Sequence, residues 1–390
     1  REWSENVVPS LMDFIRVPNV SPAFDEAWDT NGLQMQAFEL LAEWAKAQNI
    51  ENCKIELLKD AGRTPLLIME VEARESEQSC LLYAHIDKQP PMGVWMEGLG
   101  PYEPAVKEGK LYGRGSVDDG YGFYSAITSI KAIQAQGLPC PRIVMLFEGC
   151  EESGSRDLPY YMDKLAARVG TPDLICCLDS GCDNYNRIWL TTSLRGNIAF
   201  TLSAQTMVDG MHSGVASGIA PSSFRIMRQL LSRLEDETTG KVVPHDFYRD
   251  IPESRVQQAS AAAAIVGGTV LQAFPFVEGA HPVAKDAEVA EHLLNRTWRP
   301  ALSVIGADGL VSSFSKIFAD EELAVRTQFH VAESYFELFK SHLKLGRDKE
   351  AAEDLEKIRA MKRARPLKAD GPRPGRGGSG VGKAWKCASP

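Results

Sequence analysis

Ile143–Gly154 reads IVMLFEGCEESG: five apolar residues in a row, then a cluster of carboxylates and small residues around one thiol. An apolar run this short and continuous fits a strand buried on both faces. Two further stretches are built the same way. Cys80–Asp87 (CLLYAHID) ends in His85-Ile86-Asp87, and Leu174–Gly181 (LICCLDSG) ends in Asp179-Ser180-Gly181. Helical patterns lie between them, at Tyr121–Gln136 (YGFYSAITSIKAIQAQ, closing near Gly137) and around Leu158–Val169. Strands alternating with helices predict an α/β domain with a mainly parallel sheet and helices on both faces. Ligands of open α/β sheets collect at the carboxyl ends of the strands. That is where these His, Asp and Glu residues stand.

Outward from this centre, residues 3–17 and 33–48 have helical apolar spacing, and Cys53–Leu58 and Pro65–Val71 read as strands. The texture changes after about residue 185. Trp189–Ala204 is strand-like, Pro221–Glu235 is an amphipathic helix with proline near its start, Lys285–Leu294 is a second helix and Pro300–Ile305 a strand. These define a smaller α+β domain over 186–310, behind a catalytic domain over 1–185. Glu322–Leu345 and Asp348–Lys362 read as a charged helical hairpin within 311–362. One such hairpin resembles a single tetratricopeptide unit without forming an array. Residues 363–390, rich in Pro, Gly, Lys and Arg, cannot build a core and read as a disordered basic tail.

The 390 residues, 44% hydrophobic and 24% charged, suit a globular protein of two to three domains and exclude collagen-like or wholly disordered chains. The longest weakly polar stretch, Ala261–Phe276, is short and broken by two adjacent glycines, so no membrane span is expected. A net charge of −9 argues against nucleic acid as a partner. That average hides a split, because residues 341–390 hold 13 Lys/Arg against 6 Asp/Glu. Eight cysteines without a CxxC pair read as reduced thiols, and the chain, whose start at Arg1 carries no signal-peptide pattern, reads as cytoplasmic.

A fourth segment, Gly113–Gly120 (GRGSVDDG), puts two carboxylates in a glycine-flanked turn before a helix. It lacks the Lys-Ser/Thr ending of a phosphate loop. Taken singly, each piece has a plain structural reading: Asp-Asp-Gly as a turn, Asp179 as a helix cap, Glu-Glu as a solvated helix start. Four of them at one sheet edge point instead to a metal site. In an extended strand His85 and Asp87 share a side, so the Asp87 carboxylate can hold the second imidazole nitrogen and strengthen a histidine ligand. Asp118 can bridge two cations, and of the adjacent Glu151 and Glu152 one can bind metal while the other moves protons. Cys150 has no histidine in a defined relation to it, so a thiol nucleophile is disfavoured.

The set His85-x-Asp87, Gly113-Arg114-Gly115-Ser116-x-Asp118-Asp119, Glu151-Glu152-x-Gly154-Ser155 and Asp179 resembles the co-catalytic zinc metallopeptidase family. That family contains carnosinases, cytosolic non-specific dipeptidases, acetylornithine deacetylase, succinyl-diaminopimelate desuccinylase and carboxypeptidase G. The resemblance runs over roughly residues 5–310 and is nearest the dipeptidase branch. It implies two zinc ions, with manganese as a substitute: His85 and Asp179 on one, Glu152 on the other, and Asp118 bridging. It further implies Asp87 behind His85, Glu151 as general acid/base for a metal-activated water, and a cis peptide after Asp118. Met211-His212-Ser213-Gly214-Val215 resembles part of an inserted lid that forms a homodimer and whose histidine, here His212, reaches the partner's site. Arg195-Gly196 and Arg299-Pro300-Ala301-Leu302 resemble further lid elements. The other histidines, His245, His281, His292, His330 and His342, have no supporting context.

By the same resemblance the chain should return from the lid to the sheet with another histidine for the second zinc, and with arginine and a glycine-rich loop for a substrate carboxylate. None is visible after Gly309-Leu310, so residues from about 311 onward are expected to be a foreign or altered ending. The expected activity is hydrolysis of peptide-type amide bonds in a small peptide. Two alternatives stay open: deacylation of an N-acyl amino acid, and a catalytically impaired remnant serving as a dimerising interaction protein.

Overall fold

The computed structural model describes residues 1–184, 186–192, 194–308 and 323–331. The chain divides into two units that part between Cys182 and Asp183. The first contains helices α1 (Val8–Arg16), α2 (Leu33–Ala47), α3 (Tyr121–Ala135) and α4 (Leu158–Val169). Its strands are β1 (Cys53–Leu58), β2 (Leu66–Val71), β3 (Ser79–His85), β4 (Ala105–Lys107), β5 (Lys110–Tyr112), β6 (Arg142–Glu148) and β7 (Leu174–Cys177).

β6 shows why its apolar run is continuous. Ile143, Met145 and Phe147 enter one cluster with Phe14, Phe38, Leu41, Phe123 and Ile127 of α1–α3. The alternate residues Val144 and Leu146 enter a second cluster with Tyr161, Leu165 and Val169 of α4. Side chains of a strand alternate between faces, so a strand covered by helices on both sides must be apolar at every position. Each such buried side chain contributes about 1.5–3 kcal/mol. Truncating Phe147, which packs edge-on against Phe123 at a centroid distance of 4.9 Å, costs about 3–5 kcal/mol.

The main sheet has the order β1-β2-β6-β3-β7, with β4 and β5 forming a separate hairpin. β3 pairs in parallel with both β6 and β7. β2 pairs antiparallel with β1 and with β6. Four of the five strands share a direction, but the sheet is mixed. The short link from Leu58 to Leu66 explains it, since a parallel return needs a crossover of a dozen residues or more. Lys88, just past β3, is fully buried and donates through Nζ to the carbonyls of Phe14 (2.7 Å) and Val17 (2.6 Å). It thereby adds a second donor to carbonyls at the end of α1 that also accept the Val17 and Asn19 N–H groups.

The second unit contains β8 (Gly196–Ala204), α5 (Ser213–Ala216), α6 (Ser223–Leu231), α7 (Glu253–Val266), α8 (Thr269–Gln272), α9 (Val289–Thr297), β9 (Ala301–Asp308) and β10 (Leu323–Val331). The Ser222 hydroxyl caps α6 by accepting the Arg225 N–H. Arg195 Nη1 donates to the carbonyls of Asn295 (3.2 Å) and Arg299 (2.8 Å), joining the two segments read as lid elements.

β10 corrects the sequence reading. Residues 323–331, expected as the start of a helix, are the middle strand of a β8-β10-β9 sheet, antiparallel to both neighbours. Val325, Thr327, Phe329 and Val331 put β-branched and aromatic residues at every second position, a strand pattern that the flanking charges obscured. The smaller domain therefore runs past residue 310. The rest of the expected hairpin, the basic tail and His342 lie outside the described residues. Among the described residues no helix is long and apolar enough to cross a membrane, and the seven cysteines there are free thiols.

Candidate metal centre

Ends of β3, β6 and β7 and the turn before α3 converge on the imidazole of His85, which is fully buried. Its Nε2 lies 3.0 Å from Asp118 Oδ1, 3.7 Å from Asp179 Oδ2 and 3.9 Å from Glu151 Oε2. Two sets of ligand atoms, His85/Asp118/Glu152 and His85/Glu151/Asp179, each lie within 4.8 Å of one another. Asp118, Glu151, Glu152 and Asp179, singled out by the turn and strand-end motifs, thus come together around the His85 ring.

Asp87 does more than expected. The nearest acceptor for His85 Nδ1 is the Asp87 backbone carbonyl at 3.0 Å, with the carboxylate oxygen at 3.5 Å. The Asp87 carboxylate also accepts the N–H groups of Glu151 and Glu152, each at 3.1 Å. Glu151–Ser153 is a single 3-10 turn following β6, and its first N–H groups have no partner within the turn. A buried carboxylate is the strongest acceptor available to them.

The glycines around Asp118 have steric reasons. Gly115 sits at φ +83° with the Lys88 stem packed against it, and a Cβ on Gly120 would fall against the Gly115 carbonyl. The Asp118–Asp119 peptide is cis. Asp119 is buried and accepts the His85 backbone N–H through Oδ2 at 3.2 Å.

The electrostatics describe carboxylates short of a counter-charge. Burial disfavours the His85 charge, but hydrogen bonds to Asp118 and Asp87 outweigh it and push the imidazole up to about 12. The His85 hydrogen bond holds Asp118 below the usual carboxylate range. Burial pushes Asp119 up to about 8 and Glu152 up to about 7, and raises Glu151 and Asp179 as well. One imidazolium cannot neutralise so many carboxylates. Glu152 Oε1, moreover, is buried without a hydrogen-bond partner. A buried carboxylate oxygen left without a partner is costly, and a divalent cation between these groups would satisfy it. Imidazole and carboxylate donors in threes suit zinc or manganese.

Three contributors were not anticipated from sequence. Gln89 Nε2 donates to Glu152 Oε2 at 2.5 Å. The Tyr121 hydroxyl, in the first turn of α3, donates to the Leu178 carbonyl and lies 2.8 Å from that of Ser180, spanning Asp179. Lys88 supports the Gly115 turn from below. None carries a periodic or spacing signal; Gln89 and Lys88 stand out only by following His-x-Asp. His212 lies in the second unit before α5, exposed, with Nδ1 accepting the Gly214 N–H at 3.1 Å. His330 is a residue of β10.

With this geometry in hand, comparison with known proteins gives the class. Residues 81–332 match peptidase family M20/M25/M40, and the chain belongs to that family. The match runs through β10, so the family sequence continues beyond residue 311, where a foreign ending was expected. The β-Ala-His dipeptidase of Mus musculus is 27% identical over 256 residues, covering 63% of this chain and 49% of that protein. The chain spans about half the length of the curated relatives it matches. Among solved structures, the di-peptidase Dug1p from Saccharomyces cerevisiae superposes with a TM-score of 0.62 at 20% identity, covering 92% of this chain and 75% of that one. The metallo-carboxypeptidase Sso-CP2 from Sulfolobus solfataricus gives a TM-score of 0.66 at 19% identity, covering 87% and 75%. These likenesses establish the fold.

Proposed function

We propose that this protein is a di-zinc dipeptidase that hydrolyses the amide bond of small peptides. The observation that carries the reading is the convergence of Asp118, Glu151, Glu152 and Asp179 on His85, with a buried Glu152 oxygen lacking any partner. Family membership and the named dipeptidase relatives support it.

In this reading His85 and Asp179 would hold one ion and Glu152 the other, with the Asp118 carboxylate available to both. What zinc supplies when bound is positive charge, which polarises a carbonyl and acidifies water. Glu151 takes a proton from the attacking water and delivers it to the leaving amine. Its carboxylate is about one-third exposed, which leaves it open to substrate and solvent. Its backbone is fixed through the Asp87 carboxylate. Asp87 positions the site without touching substrate. The second unit acts as lid and dimerisation domain, and His212 reaches the neighbouring subunit's site to donate to the oxyanion as it develops. Free thiols and the absence of a long apolar helix among the described residues are in keeping with a cytoplasmic setting.

The test combines metal content with turnover. Full-length protein is loaded with zinc or manganese, and a panel of dipeptides and N-acyl amino acids is assayed against Glu151→Gln as blank. Two ions per chain and dipeptide turnover absent from the blank support the reading. Turnover of N-acyl amino acids alone moves the activity to deacylation, and one weakly held ion without turnover overturns it.

A further inference from the structure

We propose that Tyr121 and Gln89 are positioning residues that each govern one of the two adjoining cation subsites, Tyr121 the one containing Asp179 and Gln89 the one containing Glu152. The inference rests on the metal reading above and adds to it that Asp179 and Glu152, the carboxylates that distinguish the two subsites, are oriented by different residues.

Asp179 stands just past the end of a sheet-edge strand, where the Leu178 N–H donates to the Tyr83 carbonyl at 2.8 Å. It follows β7, which ends at Cys177 and pairs only with β3 among the described strands. Just past this strand, the backbone has no ladder on its outer side among the described residues. Tyr121 supplies a restraint from α3. Its hydroxyl donates to the Leu178 carbonyl, lies 2.8 Å from the Ser180 carbonyl and can accept the Ser180 N–H at 3.4 Å. The two residues flanking Asp179 are therefore tied to the first turn of the helix that begins directly after Asp118-Asp119. The Asp118 and Asp179 segments are thereby coupled through one hydroxyl group.

Glu152 has the complementary arrangement. Its carboxylate is half-buried, and one oxygen receives the Gln89 amide at 2.5 Å. The other oxygen is buried and unpartnered, and the Glu152 carboxylate lies within 4.8 Å of the ligand atoms of His85 and Asp118. Gln89 thus occupies Oε2 and leaves Oε1 as the oxygen still open to a cation. Gln89 lies two residues after Asp87, whose carboxylate binds the Glu152 N–H. Side chain and backbone of Glu152 are consequently both tied to the chain immediately following β3. Neither Tyr121 nor Gln89 bears a charge when it acts this way, so each can orient a carboxylate without neutralising it. Partners of this kind typically change metal affinity by about 10–100-fold.

Tyr121→Phe removes one oxygen atom, and Gln89→Met removes the donor at nearly constant volume. Both variants are checked by thermal unfolding before use. In metal-free protein, hydrogen exchange over residues 178–181 should accelerate in Tyr121→Phe and stay unchanged in Gln89→Met. Stepwise titration with cobalt(II), followed by its visible ligand-field bands and by calorimetry, should show two binding steps in the wild type. Tyr121→Phe should weaken one step about tenfold and Gln89→Met the other, with the untouched step retaining its spectrum. Asp179→Asn and Glu152→Gln identify which step is which. Wild-type protein that binds no divalent cation removes the metal reading and this inference with it. Two normal steps in the wild type, with either variant titrating identically or both weakening the same step, overturn the inference alone.

Discussion

His85 Nδ1 is held by the backbone carbonyl of Asp87, at 3.0 Å, while the Asp87 side chain turns to the N–H groups of Glu151 and Glu152. One residue therefore sets the imidazole with its main chain and the two glutamates with its carboxylate. Asp87→Ala keeps the first contact and abolishes the second, leaving two N–H groups at about 1–3 kcal/mol each. The expected result is a loss of about 2–4 kcal/mol in urea unfolding, together with at least tenfold weaker metal binding. Asp87→Asn, which keeps one acceptor oxygen, should fall between Ala and wild type. Equal stability of Ala and wild type would contradict the assigned contact.

Metal-free protein should lose stability as pH rises. Burial raises the folded-state pKa of Asp119 to about 8 and of Glu152 to about 7, above the usual 4 or so of an unfolded carboxyl. Groups raised in the folded state contribute stability that is complete below the unfolded pKa and disappears through the folded one. His85, raised to about 12, has the same sign above its unfolded value near 6.5. Asp118, lowered by His85, has the opposite sign, and its contribution is lost only in acid. The unfolding temperature in chelator should therefore decline from about pH 5 to pH 8. Zinc binds the deprotonated carboxylates, so its stabilising effect should grow across the same interval. A chelated sample with a flat or rising profile would remove the electrostatic account of the site.

Gly120 and Gly137 provide a steric contrast. A Cβ on Gly120 would collide with the Gly115 carbonyl and the Phe14 ring, whereas one on Gly137 meets nothing within 4 Å. Gly137 nevertheless has φ +66°, so alanine there costs only the strain of a left-handed residue, about 1–2 kcal/mol. Gly120→Ala should cost about 3 kcal/mol or more and displace Asp118, abolishing tight metal binding. Calorimetric unfolding and zinc titration of the two variants side by side measure both effects.

What the sequence made legible follows from which forces leave a local trace. The run ending at Glu148 was readable because burial on both faces demands apolar residues throughout, and the runs ending at His85 and Cys177 by the same apolar pattern, although Leu174 and Ile175 of β7 are exposed among the described residues. The site carboxylates were readable because they stand at the ends of those runs. Strand direction leaves no such trace: the antiparallel β2 (LLIMEV) is an apolar run like the one in β6 (RIVMLFE), which pairs in parallel with β3. α7, with Val266 as its buried residue, lacks an apolar stripe and so lacked a signal. Gln89 and Tyr121 act through hydrogen bonds to residues distant in sequence, a relation that only folding creates.

The trans role proposed for His212 makes a quantitative prediction. Glu151→Gln removes the proton-transfer group and should lower kcat by about 10²–10⁴-fold while retaining metal. His212→Ala removes an oxyanion donor and should lower kcat by about 10²–10³-fold. If His212 serves the partner's site, a mixed dimer of the two variants contains one site with both defects and one with neither. Random reassociation makes half of the dimers mixed, so an equimolar mixture should recover about a quarter of wild-type activity. If His212 serves its own subunit, every site in the mixture carries one defect and no activity returns. Because both variants fold around the same metal-binding residues, metal content measured on the mixture separates failed complementation from failed loading. Recovery must also vanish when the proteins are mixed under conditions that prevent subunit exchange.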